Sequence, residues 1–121
     1  MGDRGKLSGY TGKVMNKDIF DRLFDVIYDR KMTPSEKSYV ASLMQKGTDK
    51  INSKILEEAE EVCEAALEDG KEHLTYEICD LLFHTFVLAS YRGVGLDEIR
   101  GELERRFGTG GLEEKAGRKD K

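Results

Sequence analysis

Two short acidic runs carry the chemistry in this chain of 121 residues: Glu57-Glu58-Ala59-Glu60-Glu61 and Glu77-Ile78-Cys79-Asp80. In each run carboxylates stand three residues apart, Glu58 with Glu61 and Glu77 with Asp80. On a helix that spacing places each pair on one face. Gly70 punctuates the connection between the runs, which is long enough for two helices to fold back antiparallel. Four or five carboxylates then converge, and such a cluster repels itself unless a cation sits within it. An all-oxygen donor set favours a hard cation, Mg²⁺ with Mn²⁺ as a substitute. The spacing therefore predicts a metal site whose ligands are Glu58, Glu61, Glu77 and Asp80.

The elements that must hold these groups are read as helices throughout. Asn16 is placed to cap a first helix running to about Arg30, with Ile19, Phe20, Leu23, Phe24 and Ile27 on its apolar side. Thr33-Pro34-Ser35-Glu36 reads as a capping box that opens a short helix over 34–45, stopped at Gly47. Thr48 or Asp49 starts a long helix to about Asp69. Ile51, Ile55, Ala59, Val62, Cys63 and Ala66 fill one sector of it, and Glu58 lies at that sector's edge. The helix from about Glu72 to Tyr91 is apolar nearly all round after Tyr76, as expected of a buried central helix. Glu77, Asp80 and His84 form a polar stripe along it, and uncompensated charge there costs several kcal/mol. After the Arg92-Gly93-Val94-Gly95 turn, Leu96, Ile99, Leu103 and Phe107 mark a last amphipathic helix. Residues 1–15 carry four glycines and no periodicity, so they read as a flexible extension; residues 16–121 form a single domain with a polar tail.

Bulk properties narrow the function classes. The net charge of −4, with both signs interspersed, gives no basic footprint for a nucleic-acid polymer. No apolar run reaches the ~18 residues of a membrane span, and the N-terminus lacks a signal-peptide core, so a cytoplasmic protein is expected. Cys63 and Cys79 lack metal-ligand spacing and read as buried free thiols.

Each signal has a bland counterpart. A Glu-rich helix face is ordinarily solvated, which suffices for Glu60, Glu64 and Glu68; His73 reads as a surface residue. Glu77 and Asp80 on the most apolar helix resist that explanation. His84 is either a core histidine with its hydrogen bonds met or a contact near the site. Lys50 and Lys54 are either salt-bridge partners of Glu57, Glu58 and Glu61 or contacts for substrate phosphates, the latter favoured.

The run from Lys50 to Glu61 and the run Glu77-Ile78-Cys79-Asp80-Leu81-Leu82-Phe83-His84 resemble the phosphoribosyl-ATP pyrophosphohydrolase family of histidine biosynthesis. That family belongs to the all-α, MazG-like NTP pyrophosphohydrolases. The carboxylate pairs are common to the superfamily. Asp29-Arg30-Lys31, Ser38 to Leu43, Lys46-Gly47, Arg92-Gly93-Val94, Glu102 to Arg106 and Gly111 to Ala116 are closer to the histidine enzyme. Gly95 and Phe107 depart from it, where Ser and His are common. The resemblance implies an antiparallel all-α bundle completed by dimerisation, and Mg²⁺-dependent hydrolysis of phosphoribosyl-ATP to phosphoribosyl-AMP and pyrophosphate. Glu57, Glu58 and Glu61 would be catalytic, with Lys50, Lys54, His84, Lys46 and Tyr39 around the substrate.

Rival readings are a house-cleaning (d)NTP pyrophosphohydrolase with the same carboxylates, a ferritin-like di-metal protein, and an acidic helical interaction module. The second lacks its Glu-x-x-His motif. The third leaves Glu77 and Asp80 unexplained. A homodimer or larger is also expected from packing, because the remaining helices are too few to cover an all-round apolar one.

Overall fold

A computed structural model describes residues 16–108, and among them the chain forms five helices and no strand. They are α1 (Ile19–Met32), α2 (Tyr39–Lys46), α3 (Thr48–Ala65), α4 (Glu72–Tyr91) and α5 (Leu96–Gly108). The expectations for residues 1–15 and for the polar tail lie outside the described residues.

α1 starts two residues later than expected. Asp18, not Asn16, is its cap: the Asp18 carboxylate accepts from the Asp21 N–H, and the Asp21 carboxylate accepts from the Asp18 N–H. That reciprocal arrangement satisfies two of the helix's orphan donors.

The predicted start of α2 is corrected. Thr33 closes α1 by donating its N–H to the Asp29 carbonyl, and Pro34 to Lys37 form a turn. Ser38 caps α2 instead, its Oγ accepting the Ala41 N–H at 3.0 Å. Pro34 holds Thr33 out of helical conformation, and the stretch 34–38 has no residue to bury. The helix begins where Val40 and Leu43 reach the core.

Gly47 separates α2 from α3 with φ +90°, a conformation that strains any side chain. A Cβ there would also sit 3.7 Å from the Tyr91 hydroxyl. The start of α3 is therefore beside the end of α4, while Glu58 lies beside Glu77 and Asp80 further along. The two longest helices are thus antiparallel, as the sequence implied, and they make the most extensive pairing in the fold.

α3 ends at Ala65, about one turn before the expected Asp69. The chain then tightens through hydrogen bonds from Leu67 to the Glu64 carbonyl and from Glu68 to the Ala65 carbonyl. Leu67 and Ala66 find no core to pack on and are exposed.

The core is built from Ile27, Val40, Leu43, Ile51, Phe86 and Val87, one or two from each of α1 to α4. Phe20 and Phe24 meet Phe86 edge-on and tilted, which seats α1 on α4. Ile99 brings α5 against this core, and Arg100 ties α5 to Asp18 at 2.8 Å. Of the stripe expected on α5, Leu103 and Phe107 are left exposed.

Two further expectations change. α4 is not enclosed: Tyr76, Ile78 and Leu82 are 65%, 42% and 37% exposed. Cys63 and Cys79 are free, as expected, but exposed rather than buried in the single chain.

Candidate metal centre

The antiparallel register of α3 against α4 brings Glu58, Glu77 and Asp80 together. One carboxylate oxygen from each lies within 4.8 Å of the others. Glu58 and Glu77 are buried, at 6% and 7% exposure, and Asp80 is half-buried. The i, i+3 spacing on α4 turns Glu77 and Asp80 to the same side. α3 supplies Glu58 from the edge of its apolar sector.

The electrostatics follow from that crowding. Burial pushes the Glu58 carboxyl up to about 7, and the charges of Glu61 and Asp80 push the same way against the pull of Lys54. Glu61 is half-buried beside this trio, and its carboxyl is also raised, by desolvation first and then by the neighbouring Glu77 carboxylate. Glu58 Oε1 and Glu77 Oε1 are buried with no hydrogen-bond partner. An unpartnered buried carboxylate oxygen costs its full desolvation. Two of them facing a third carboxylate form an all-oxygen cradle suited to a hard divalent cation.

The flanking groups are placed as follows. Lys54 Nζ lies 3.1 Å from Glu57 and 3.9 Å from Glu58, so it borders the cradle as an ion-pair partner. Glu57 is exposed and turned toward Lys54. Lys50 is exposed one turn earlier on α3, and Lys46 is exposed in the last turn of α2.

His84 is almost fully buried, at 4% exposure. Its Nδ1 lies 2.8 Å from the Asp80 carbonyl, which can only accept, so Nδ1 carries the proton. In the neutral ring Nε2 then accepts from the Tyr39 hydroxyl, 2.9 Å away. His84 therefore anchors Tyr39 and the backbone of α4, not a carboxylate. Tyr39 stacks on Phe83, and the charges of Glu58, Glu57 and Asp80 are felt at its hydroxyl. α2 is thereby fixed at the rim of the acidic site.

His73 was assigned to the surface. It is half exposed, yet it touches the site. Its Nε2 lies 3.1 Å from Glu77 Oε2 and its Nδ1 2.9 Å from Glu68 Oε1. Its pKa is raised by Glu68 first and Glu77 second. The signal was in the sequence: His73 stands four residues before Glu77, the spacing at which helical side chains meet.

The family model for phosphoribosyl-ATP pyrophosphohydrolase matches residues 20–107, which include every residue of this centre. The chain belongs to that family. It is 51% identical over 104 residues to the phosphoribosyl-ATP pyrophosphatase of Geotalea daltonii, a match covering 86% of this chain and 98% of that protein. The enzyme of the same name from Geobacter metallireducens is 48% identical, over 84% of this chain and 93% of its own length. That from Trichlorobacter lovleyi is 47% identical, over 87% and 97%. No helix among the described residues is long and apolar enough to cross a membrane.

Proposed function

We propose that the chain hydrolyses phosphoribosyl-ATP to phosphoribosyl-AMP and pyrophosphate, an early step of histidine biosynthesis, using the Glu58–Glu77–Asp80 centre. The family carries the substrate, and the buried, unpartnered carboxylate oxygens carry the chemistry. The donor set fits Mg²⁺, with Mn²⁺ as a substitute, held by Glu58, Glu77 and Asp80 and completed by Glu61. When bound there, the cation supplies charge neutralisation to the phosphate oxygens and acidifies the attacking water.

The chain's own groups do the rest. Cleavage between the α and β phosphates needs an aligned water and a proton acceptor. Glu57, Glu58 and Glu61 are the candidates for that acceptor, on the helix face nearest the cradle. Lys54 and Lys50 balance the charge of the departing pyrophosphate, Lys54 by exchanging its contact with Glu57 for a phosphate oxygen. Tyr39, held by His84, forms the wall of the site toward α2, with Lys46 further along that helix.

The working unit is a homodimer or larger, a cytoplasmic enzyme with no nucleic-acid polymer or membrane among its partners. The support is the uncovered side of the α3–α4 pair, where Leu56, Ile78, Cys79 and Leu82 are exposed. Deleting residues 1–14 should change neither melting temperature nor turnover appreciably.

The metal assignment is tested by Glu77→Gln and Asp80→Asn. Each should lower Mg²⁺-dependent pyrophosphate release by about a hundredfold or more while the protein stays folded by circular dichroism. Retention of most of the activity in either variant would sink the assignment.

A further inference from the structure

A second site opens on the other flank of α2, away from Tyr39. It is a cavity of about 760 Å³ between the end of α1, the 33–38 turn, α2 and Tyr91. That volume lies in the range of small-ligand pockets. Arg30, Lys31, Ser35, Ser42, Gln45 and Tyr91 supply its polar lining, over Pro34, Ala41 and Met44. Glu36 is the one carboxylate among the lining residues, and it stands on the exposed turn.

Both cations here keep donors open to a ligand, whereas several others among the described residues are committed to carboxylates. Arg100 is spent on Asp18 and Asp21, Arg106 on Glu102, and Lys54 on Glu57. Arg30 reaches Asp29 at 3.9 Å, the outer limit of an ion pair, and it is 44% exposed. Lys31 gives one hydrogen bond to the Ser90 carbonyl at 2.7 Å, and an ammonium carries three donors. A guanidinium fork, an ammonium with donors to spare and two serine hydroxyls in one concavity match a phosphate monoester. The pyrophosphate-releasing centre makes no use of Arg30, Lys31 or Ser42.

We infer that the Arg30–Lys31 cavity binds a phosphate monoester carried on a sugar. The cavity lies apart from the acidic centre but on the same helices: its Tyr91 wall is eleven residues beyond Asp80 on α4, roughly 16 Å along the axis. Two sources share this chemistry. One is the phosphoribosyl end of the substrate, an assignment that rests on the functional reading above. The other is a separate sugar phosphate bound alongside it.

The probe is ribose 5-phosphate, titrated into ¹⁵N-labelled full-length protein and then used as an inhibitor. Saturable amide shifts centred on Ser35, Ser42, Gln45 and Tyr91 are expected. They should weaken about tenfold in Arg30→Met, the loss expected for one charge-assisted hydrogen bond, and Ser42→Ala is a second variant should the first fail to fold. Competition against phosphoribosyl-ATP, with a raised KM in the variant, would assign the site to the substrate's own arm. Binding without competition would assign it to a separate sugar phosphate, and the anion site would stand. Absence of saturable shifts, or shifts of equal strength in both variants, would overturn the inference. A wild-type protein that binds ribose 5-phosphate here but does not cleave phosphoribosyl-ATP would overturn the functional reading alone.

Discussion

Glu58 keeps one oxygen buried and unpartnered while two neighbouring carboxylates press on the other side of the cradle. Without metal its proton is held up to about 7, against an ordinary 4.5. Between those values the folded state binds the proton and the unfolded state does not, so stability falls as pH rises. The metal-free protein should therefore be more stable at pH 5 than at pH 8 by about 3 kcal/mol from this group. Urea unfolding in EDTA at the two pH values measures the difference, and Glu58→Gln should abolish most of it. A flat profile in the wild type would show that Glu58 is not held neutral by burial and by its carboxylate neighbours as described. His73 acts on the same cradle from outside, holding Glu77 Oε2 so that Oε1 is left for the cation. His73→Ala is expected to weaken Mn²⁺ binding, read by electron paramagnetic resonance, about tenfold. His73→Gln, which can still donate to Glu77, should recover part of it. Unchanged affinity in His73→Ala would leave the histidine a surface residue after all. The convergence of Glu58, Glu77 and Asp80 was legible from helical spacing, while Glu61, the fourth expected carboxylate, stands outside that cluster. His73 was passed over because its stretch is polar, although its place four residues before Glu77 was the signal that it meets the buried carboxylate.

At the scale of elements, apolar periodicity located all five helices, and the misreadings lie at their ends. Thr33-Pro34-Ser35-Glu36 has the residues of a capping box, but a cap is used only where the helix behind it has something to bury, and that begins at Ser38. The end of α3 was overrun for the converse reason: Ala66 and Leu67 continue the pattern with no neighbour to pack against. Burial of α4 was overestimated within one chain, and the discrepancy is informative. Leu56 and Cys63 on α3, with Ile78, Cys79 and Leu82 on α4, leave an apolar face open to water. Surfaces of that kind mark interfaces, and two-fold pairing is the simplest way to close one. Sedimentation equilibrium at low micromolar concentration should give a dimer or larger, and Leu82→Glu should shift it toward monomer. A fully active wild-type monomer would contradict this.

At the scale of the molecule, the bundle brings acidic groups from two antiparallel helices into one cradle and braces its rim with the Tyr39–His84 pair. Carboxylates of this kind serve any nucleotide pyrophosphohydrolase, so the cradle alone does not choose a substrate. That choice rests on the rest of the chain, which matches the phosphoribosyl-ATP enzymes from residue 20 to residue 107. The measurement that bears on it most directly is pyrophosphate release from phosphoribosyl-ATP, ATP and dUTP, each with Mg²⁺ and with EDTA. Rapid release from phosphoribosyl-ATP, at least about a hundredfold above the plain nucleotides in kcat/KM and abolished by EDTA, is the predicted result. Comparable turnover of ATP or dUTP, or turnover that survives EDTA, would contradict the account.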